Sequence, residues 1–149
     1  MTSIRSLTVE VADPAAAESF YAAAFGLGDK LCVRPSLAPT AGFRGYTFSL
    51  VVSQPNIVDT FIGAALDGGA TPLKPAKKGF WGYGGVVQAP DGTIWKVATS
   101  SPVKLALYGR SAAAKDAGVP PDGTGSHRIV IDSDTGPFTD PDGFAWETA

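Results

Sequence analysis

The sequence predicts an α+β fold, and three observations predict it. A strand of alternating polarity opens the chain, two helices that begin at proline follow it, and a Pro-Asp-Gly hairpin closes the first hundred residues. The chain has 149 residues, 44% apolar and 17% charged, enough for one buried core and too poor in charge for disorder. Eighteen glycines and twelve prolines lie between the apolar runs, so short elements joined by tight turns are expected.

Residues 4–12 place Leu7, Val9 and Val11 on one face and Ser6, Thr8 and Glu10 on the other, the period of a half-buried strand. Asp13 can cap a helix that Pro14 begins, and Gly26 stops that helix after Phe25. Residues 30–34 are a second strand. Residues 45–53, with Tyr46, Phe48, Leu50, Val51 and Val52, are a third. Pro55 begins a second helix in which Ile57, Val58, Phe61, Ile62, Ala65 and Leu66 share a face, and Gly68 and Gly69 close it. A loop with Pro72, Pro75, Phe80 and Trp81 leads to a hairpin with arms 84–88 and 93–98 around Pro90-Asp91-Gly92. Further on, residues 103–108 read as a strand and 111–117 as a short helical turn.

The stretch from Ala89 to Lys96 recurs from Asp140 to Glu147 at an offset of 51, keeping Pro-Asp-Gly and the tryptophan. A weaker match relates residues 45–51 to 125–131 at an offset of 80. The difference is about the length of the second helix and its following loop, which the second copy lacks. Residues 1–100 therefore form the main domain. Residues 101–149 form a partial second copy that packs on it or swaps into a partner chain.

Ser6-Leu7-Thr8-Val9-Glu10-Val11-Ala12-Asp13, then Phe20-Tyr21, Phe25-Gly26-Leu27, and Pro90-Asp91-Gly92 with Trp95 resemble the glyoxalase/bleomycin-resistance/extradiol-dioxygenase superfamily, the vicinal oxygen chelate proteins. The resemblance implies paired βαβββ modules forming a curved, cleft-enclosing mixed sheet, here with an incomplete second copy at the C-terminus. It also implies up to four metal ligands in the cleft. At the corresponding positions this chain has Ser6, Thr47 and Lys96, none suited to chelation. His127 and Glu147 fall on two family ligand positions in the partial copy.

Two enzyme-or-binder readings follow from the resemblance. In the leading one, a small aromatic or apolar molecule enters a cleft lined by Phe43, Tyr46, Phe80, Trp81, Tyr83 and Trp95, with no cofactor and no catalytic residue; the same aromatics would also serve as core. In the other, a zinc, nickel, iron or manganese ion on His127 and Glu147, gathered by a two-fold dimer, serves a lyase, isomerase or dioxygenase. A self-assembling structural remnant is a third reading.

The net charge of −2 and scattered basic residues argue against a nucleic-acid partner. No apolar run reaches membrane-spanning length, and Cys32 has no second cysteine to pair with. A cytoplasmic homodimer is expected. The run Gly123-Thr124-Gly125 is too short and wrongly placed for a phosphate-cradling loop.

Overall fold

The computed structural model describes residues 4–79, 82–99 and 109–148. Strand β1 (Ile4–Val11) keeps the expected alternation, with Val9 and Val11 buried and the polar face half-exposed. Helix α1 (Pro14–Ala24) starts as its sequence dictates, because Asp13 accepts a hydrogen bond from the Ala16 N–H while Pro14 gives up no donor. Then come β2 (Leu31–Pro35), β3 (Thr40–Gly42), β4 (Phe48–Val51) and helix α2 (Pro55–Asp67). They are followed by β5 (Thr71–Gly79), β6 (Gly82–Gln88), β7 (Ile94–Ala98) and helix α3 (Arg110–Ala117). The chain closes with β8 (Gly123–Gly125), β9 (Ile129–Ser133), β10 (Phe138–Thr139) and β11 (Ala145–Thr148). The strand expected at 103–108 lies outside the described residues.

One sheet has the order β10-β11-β9-β1-β2 and a second β4-β7-β6-β5, with β3 and β8 forming a short antiparallel pair. Strands of the C-terminal repeat thus add directly to β1. Leu7, Thr8 and Val9 face Ile131, Val130 and Ile129 across the antiparallel β1/β9 ladder.

The repeat seen in sequence is a repeat of geometry. In the first turn, Ala89 N–H donates to Thr93 O and Gly92 N–H to Ala89 O; in the second, Asp140 N–H donates to Phe144 O and Gly143 N–H to Asp140 O. Gly92 and Gly143 sit at φ +96° and +87°, which only glycine adopts without strain. Each turn feeds a strand that pairs in parallel, β7 with β4 and β11 with β9. The registers differ by three residues from the sequence alignment: Trp95 faces Phe48, whereas Trp146 faces Ile131 rather than Arg128. Arg128 has φ +56°, so β9 cannot begin before Ile129.

The region around Pro72 and Pro75, read from sequence as a loop, is instead strand β5. Its position explains how prolines are accommodated. β5 is the edge of its sheet, and its register slips between Pro72 and Lys74 and again before Lys77, so missing N–H groups cost few ladder bonds.

The main core lies among α1, α2 and the inner faces of both sheets. It contains Val9, Val11, Phe20, Tyr21, Phe25, Val58, Ile62, Val87, Trp95, Val97 and Ile129. Alternation along β7 sends Trp95 and Val97 into this core and Ile94 into a second one. There Ala114 and Ala117 of α3 cover Phe43, Val86 and Ile94. No helix among the described residues is long and apolar enough to cross a membrane.

Candidate functional site

The positions implied as chelating carry other chemistry. Ser6 and Thr8 hydroxyls both donate to Asp132 Oδ2, at 2.9 and 2.8 Å, and Lys96 Nζ reaches Asp116 of α3 at 3.2 Å. α3 therefore occupies the face of the β4-β7-β6-β5 sheet onto which Lys96 projects.

His127 and Glu147 are not brought together. Glu147 is level with Asp132 in the parallel β9/β11 ladder, five residues beyond His127, roughly 15 Å at the rise of a strand. Arg34 Nη1 lies 3.2 Å from each Glu147 oxygen, and its Nη2 lies 3.0 Å from Glu10. His127 Nδ1 is 2.7 Å from Arg44 O and Nε2 is 3.2 Å from Asp142 O. Its ring stacks on Phe144 with centroids 4.0 Å apart. Each ring nitrogen thus faces a backbone carbonyl oxygen of its own chain, which leaves no open side for an ion. Among the described residues no group of three or more His, Cys, Asp or Glu could hold a metal, so these side chains do not fit the ion the resemblance implies.

Of the six aromatics assigned to a cleft, the four that lie among the described residues do not gather in one. Trp95 is 3% exposed, its ring packed against Phe25 and Phe48 at 4.9 and 4.7 Å, so it belongs to the core and lines no cleft. The reason is the alternation of β7, which points it at the helices. Tyr83, on β6, donates from its hydroxyl to Asp59 of α2 at 2.7 Å. Phe80 and Trp81 lie outside the described residues. Phe43 and Tyr46 remain, and they flank a polar cluster that the sequence reading did not single out.

The cluster centres on Arg44. Its Nη2 donates to Asp91 O at 2.7 Å, which ties it to the Pro-Asp-Gly turn. The Asp91 carboxylate accepts from Tyr21 Oη at 2.6 Å and from Thr93 N–H at 2.7 Å, and Trp95 Nε1 donates to Tyr21 Oη at 3.3 Å. Three buried polar atoms beside this network, Arg44 Nη1, Tyr46 Oη and Thr93 Oγ1, make no well-formed hydrogen bond among the described residues, although Arg44 and Thr93 lie close enough to the Tyr46 hydroxyl to favour its ionised form. Together with Gly42, Gln88, Gly92 and Ile94, their residues line a small cavity of about 10 Å³, room for the centre of one water-sized group. Burial pushes the Tyr46 hydroxyl up to about 12, against the opposing pull of Arg44, and burial beside Asp91 drives Tyr21 up as well. Both phenols are therefore neutral donors near neutral pH.

On its other side Arg44 borders a wider groove of about 130 Å³, lined by Phe43, Arg110, Ser126, His127 and the backbone from Gly123 to Gly125. Gly123 is required there, since a Cβ would stand 2.1 Å from Phe43 O and 2.7 Å from Arg110 Nη2. Arg44 and Arg110 are far apart in sequence, and the pairing of β3 with β8 together with the packing of α3 on Phe43 brings their segments together. Glycines on either side of Phe43-Arg44, and the Gly-Thr-Gly run, were the signals available for this close approach.

The second turn anchors His127. Partial burial pushes the Asp140 carboxyl up, but hydrogen bonds from Trp146 Nε1 and the Phe144 and Asp142 N–H groups, with His127 nearby, outweigh it and hold the group below the usual carboxylate range. A lowered folded-state value stabilises the fold above the unfolded value of about 3.9 and loses that contribution as pH falls through the folded value. Asp140→Asn is expected to lower the melting temperature at pH 7 and to flatten its fall below about pH 4. Thermal melts across pH check both.

No protein-family model and no curated protein matches this sequence. Solved structures do match in fold. A glyoxalase/bleomycin resistance protein/dioxygenase family enzyme from Burkholderia phytofirmans superposes with TM-score 0.56 at 16% identity, over 63% of this chain and 95% of its own. A glyoxalase-related enzyme from Fulvimarina pelagi gives 0.55 at 19%, over 69% and 93%. The fosfomycin resistance protein FosX from Mesorhizobium loti gives 0.56 at 11%, over 66% and 92%. The fold is that of the glyoxalase/bleomycin resistance/dioxygenase proteins, assembled from about two thirds of the chain.

Proposed function

We propose that the protein captures a small molecule at the Arg44 cluster without a chelated metal. The observation that carries this reading is the convergence of Arg44 Nη1, Tyr46 Oη and Thr93 Oγ1, all buried and none in a well-formed hydrogen bond among the described residues, on one cavity. Buried polar groups without partners are costly, and a ligand oxygen placed among them recovers that cost as affinity. The fold likeness to glyoxalase and bleomycin resistance proteins supports small-molecule binding as the kind of activity, and Ser6, Thr47 and Lys96 support capture without an ion.

Thr93→Val tests it, because the side chain keeps its shape and loses only the hydroxyl. The ligand-free variant is expected to gain about 1 kcal/mol, a rise of roughly 2–4 °C in melting temperature. The stabilisation that any hit in a thermal-shift library screen gives the parent should shrink in the variant. A variant that melts lower and binds every hit as the parent does would refute the reading. Adding zinc or a chelator should alter neither result.

A further inference from the structure

We propose that the groove between Phe43 and His127 is an oxyanion site, which takes the phosphate-like or carboxylate head group of the captured molecule through Arg110, with Arg44 adding positive charge from the adjoining cavity. The inference rests on the capture reading for the rest of the ligand and adds the chemistry of its head.

The chain carries a net charge of −2, yet this groove concentrates positive charge. The ion pairs among the described residues use Arg34 and Lys96 as cations, and neither Arg44 nor Arg110 lies within pairing distance of a carboxylate. Arg110 is held in place by neutral groups. Its Nε donates to Pro121 O at 2.6 Å, its Nη2 donates to Phe43 O, and its guanidinium carbon stands 5.2 Å from the centre of the Phe43 ring. Those contacts fix the plane of the fork and leave Nη1 with no acceptor among the described residues, beside Gly45 and the His127 ring. Arg110 is also the first residue of α3, a helix end with no side-chain cap and no acidic residue in its first turn. A cation there works against the helix dipole and raises the local positive potential.

A guanidinium with no carboxylate within pairing distance among the described residues, pre-oriented on an aromatic face, matches an oxyanion better than a neutral polar group, and Arg44, whose guanidinium lies in the adjoining small cavity, adds its charge. Ser126 and Thr124 add hydroxyl-bearing residues to the lining. Recognition is by side-chain forks, so the brevity of the Gly123-Thr124-Gly125 run does not matter. The groove meets the small cavity at Arg44, so one ligand can place its charged head against Arg110 and an oxygen among Tyr46 and Thr93.

Titration of the isotope-labelled protein with sodium phosphate and, separately, sodium acetate at fixed ionic strength tests the site. Saturable shifts should appear at the amides of residues 123–127 with at least one of the two anions, and the stronger binder identifies the head group. Arg110→Gln should weaken that binding about tenfold. If that variant does not fold, Arg110→Lys, which keeps the charge and loses the fork, should weaken it by a smaller factor. No saturable shift up to about 20 mM of either anion, or equal affinity in a folded Arg110 variant, would overturn the proposal. Library hits that bind independently of Thr93 while phosphate still binds at Arg110 would sink the capture reading and leave this one standing.

Discussion

Trp95→Ala is expected to destabilise the protein by about 3–5 kcal/mol, the cost of removing a large aromatic from a closed core. The ring touches Phe25, Phe48 and Tyr21, with centroids 4.9, 4.7 and 5.4 Å away, and its exposure is 3%. Its indole N–H also donates to Tyr21 Oη, so the truncation removes one donor from the network that holds Asp91. For a chain of this size the melting temperature should fall by roughly 10 °C or more. Circular dichroism melts measure it, and a fall of only a degree or two would show the ring to be accessible and the core described around it to be wrong.

A chain ended at residue 100 is expected to lose the folded monomer altogether. The cut removes β9, so one edge of β1 loses its partner and Val9 loses the Ile129 opposite it. It also removes α3, uncovering Phe43, Val86 and Ile94 on a sheet face they would then share with water. An open strand edge beside exposed apolar residues favours association between chains. The penalty is comparable with the whole stability of a small domain, about 5–15 kcal/mol. Light scattering coupled to size exclusion, with far-UV circular dichroism, should show aggregate or unfolded chain. A folded monomer melting like the parent would make residues 109–148 a dispensable appendage.

Local elements were legible where the signal was local. Asp13-Pro14 and Pro55 set the helix starts, alternation set β1, and Pro-Asp-Gly set both turns. β5 was not, because two prolines are a loop signal anywhere except the edge of a sheet, and edge position is a property of the assembled sheet. The pairing of β9 with β1 had no local mark either, since nothing within a strand names a partner more than a hundred residues away.

For the site, residue types misled more than spacing did. Trp95 looks like a ligand contact in a list of aromatics, yet alternation along β7 buries it, while Phe43, just past β3, is covered by α3 except where it edges the groove. Glu147 and His127 match ligand positions, but Arg34 claims the carboxylate and two backbone carbonyls claim the ring. Arg44, Thr93 and Arg110 drew no notice because each is unremarkable alone. The chemistry of Arg44 and Thr93 arises from burial, and that of Arg110 from its place on Phe43, which only the assembled fold creates.

The ladder between β1 and β9 also sets an order of events during synthesis. Ser6 and Asp132, joined by a hydrogen bond, are separated by 126 positions, so β1 leaves the ribosome long before its partner exists. At about 5–20 residues per second the delay is on the order of ten seconds, ample time for a nascent edge to meet another chain. Slow translation of the C-terminal third, or loss of chaperone capacity, should therefore lower the yield of native protein more than its equilibrium stability would suggest.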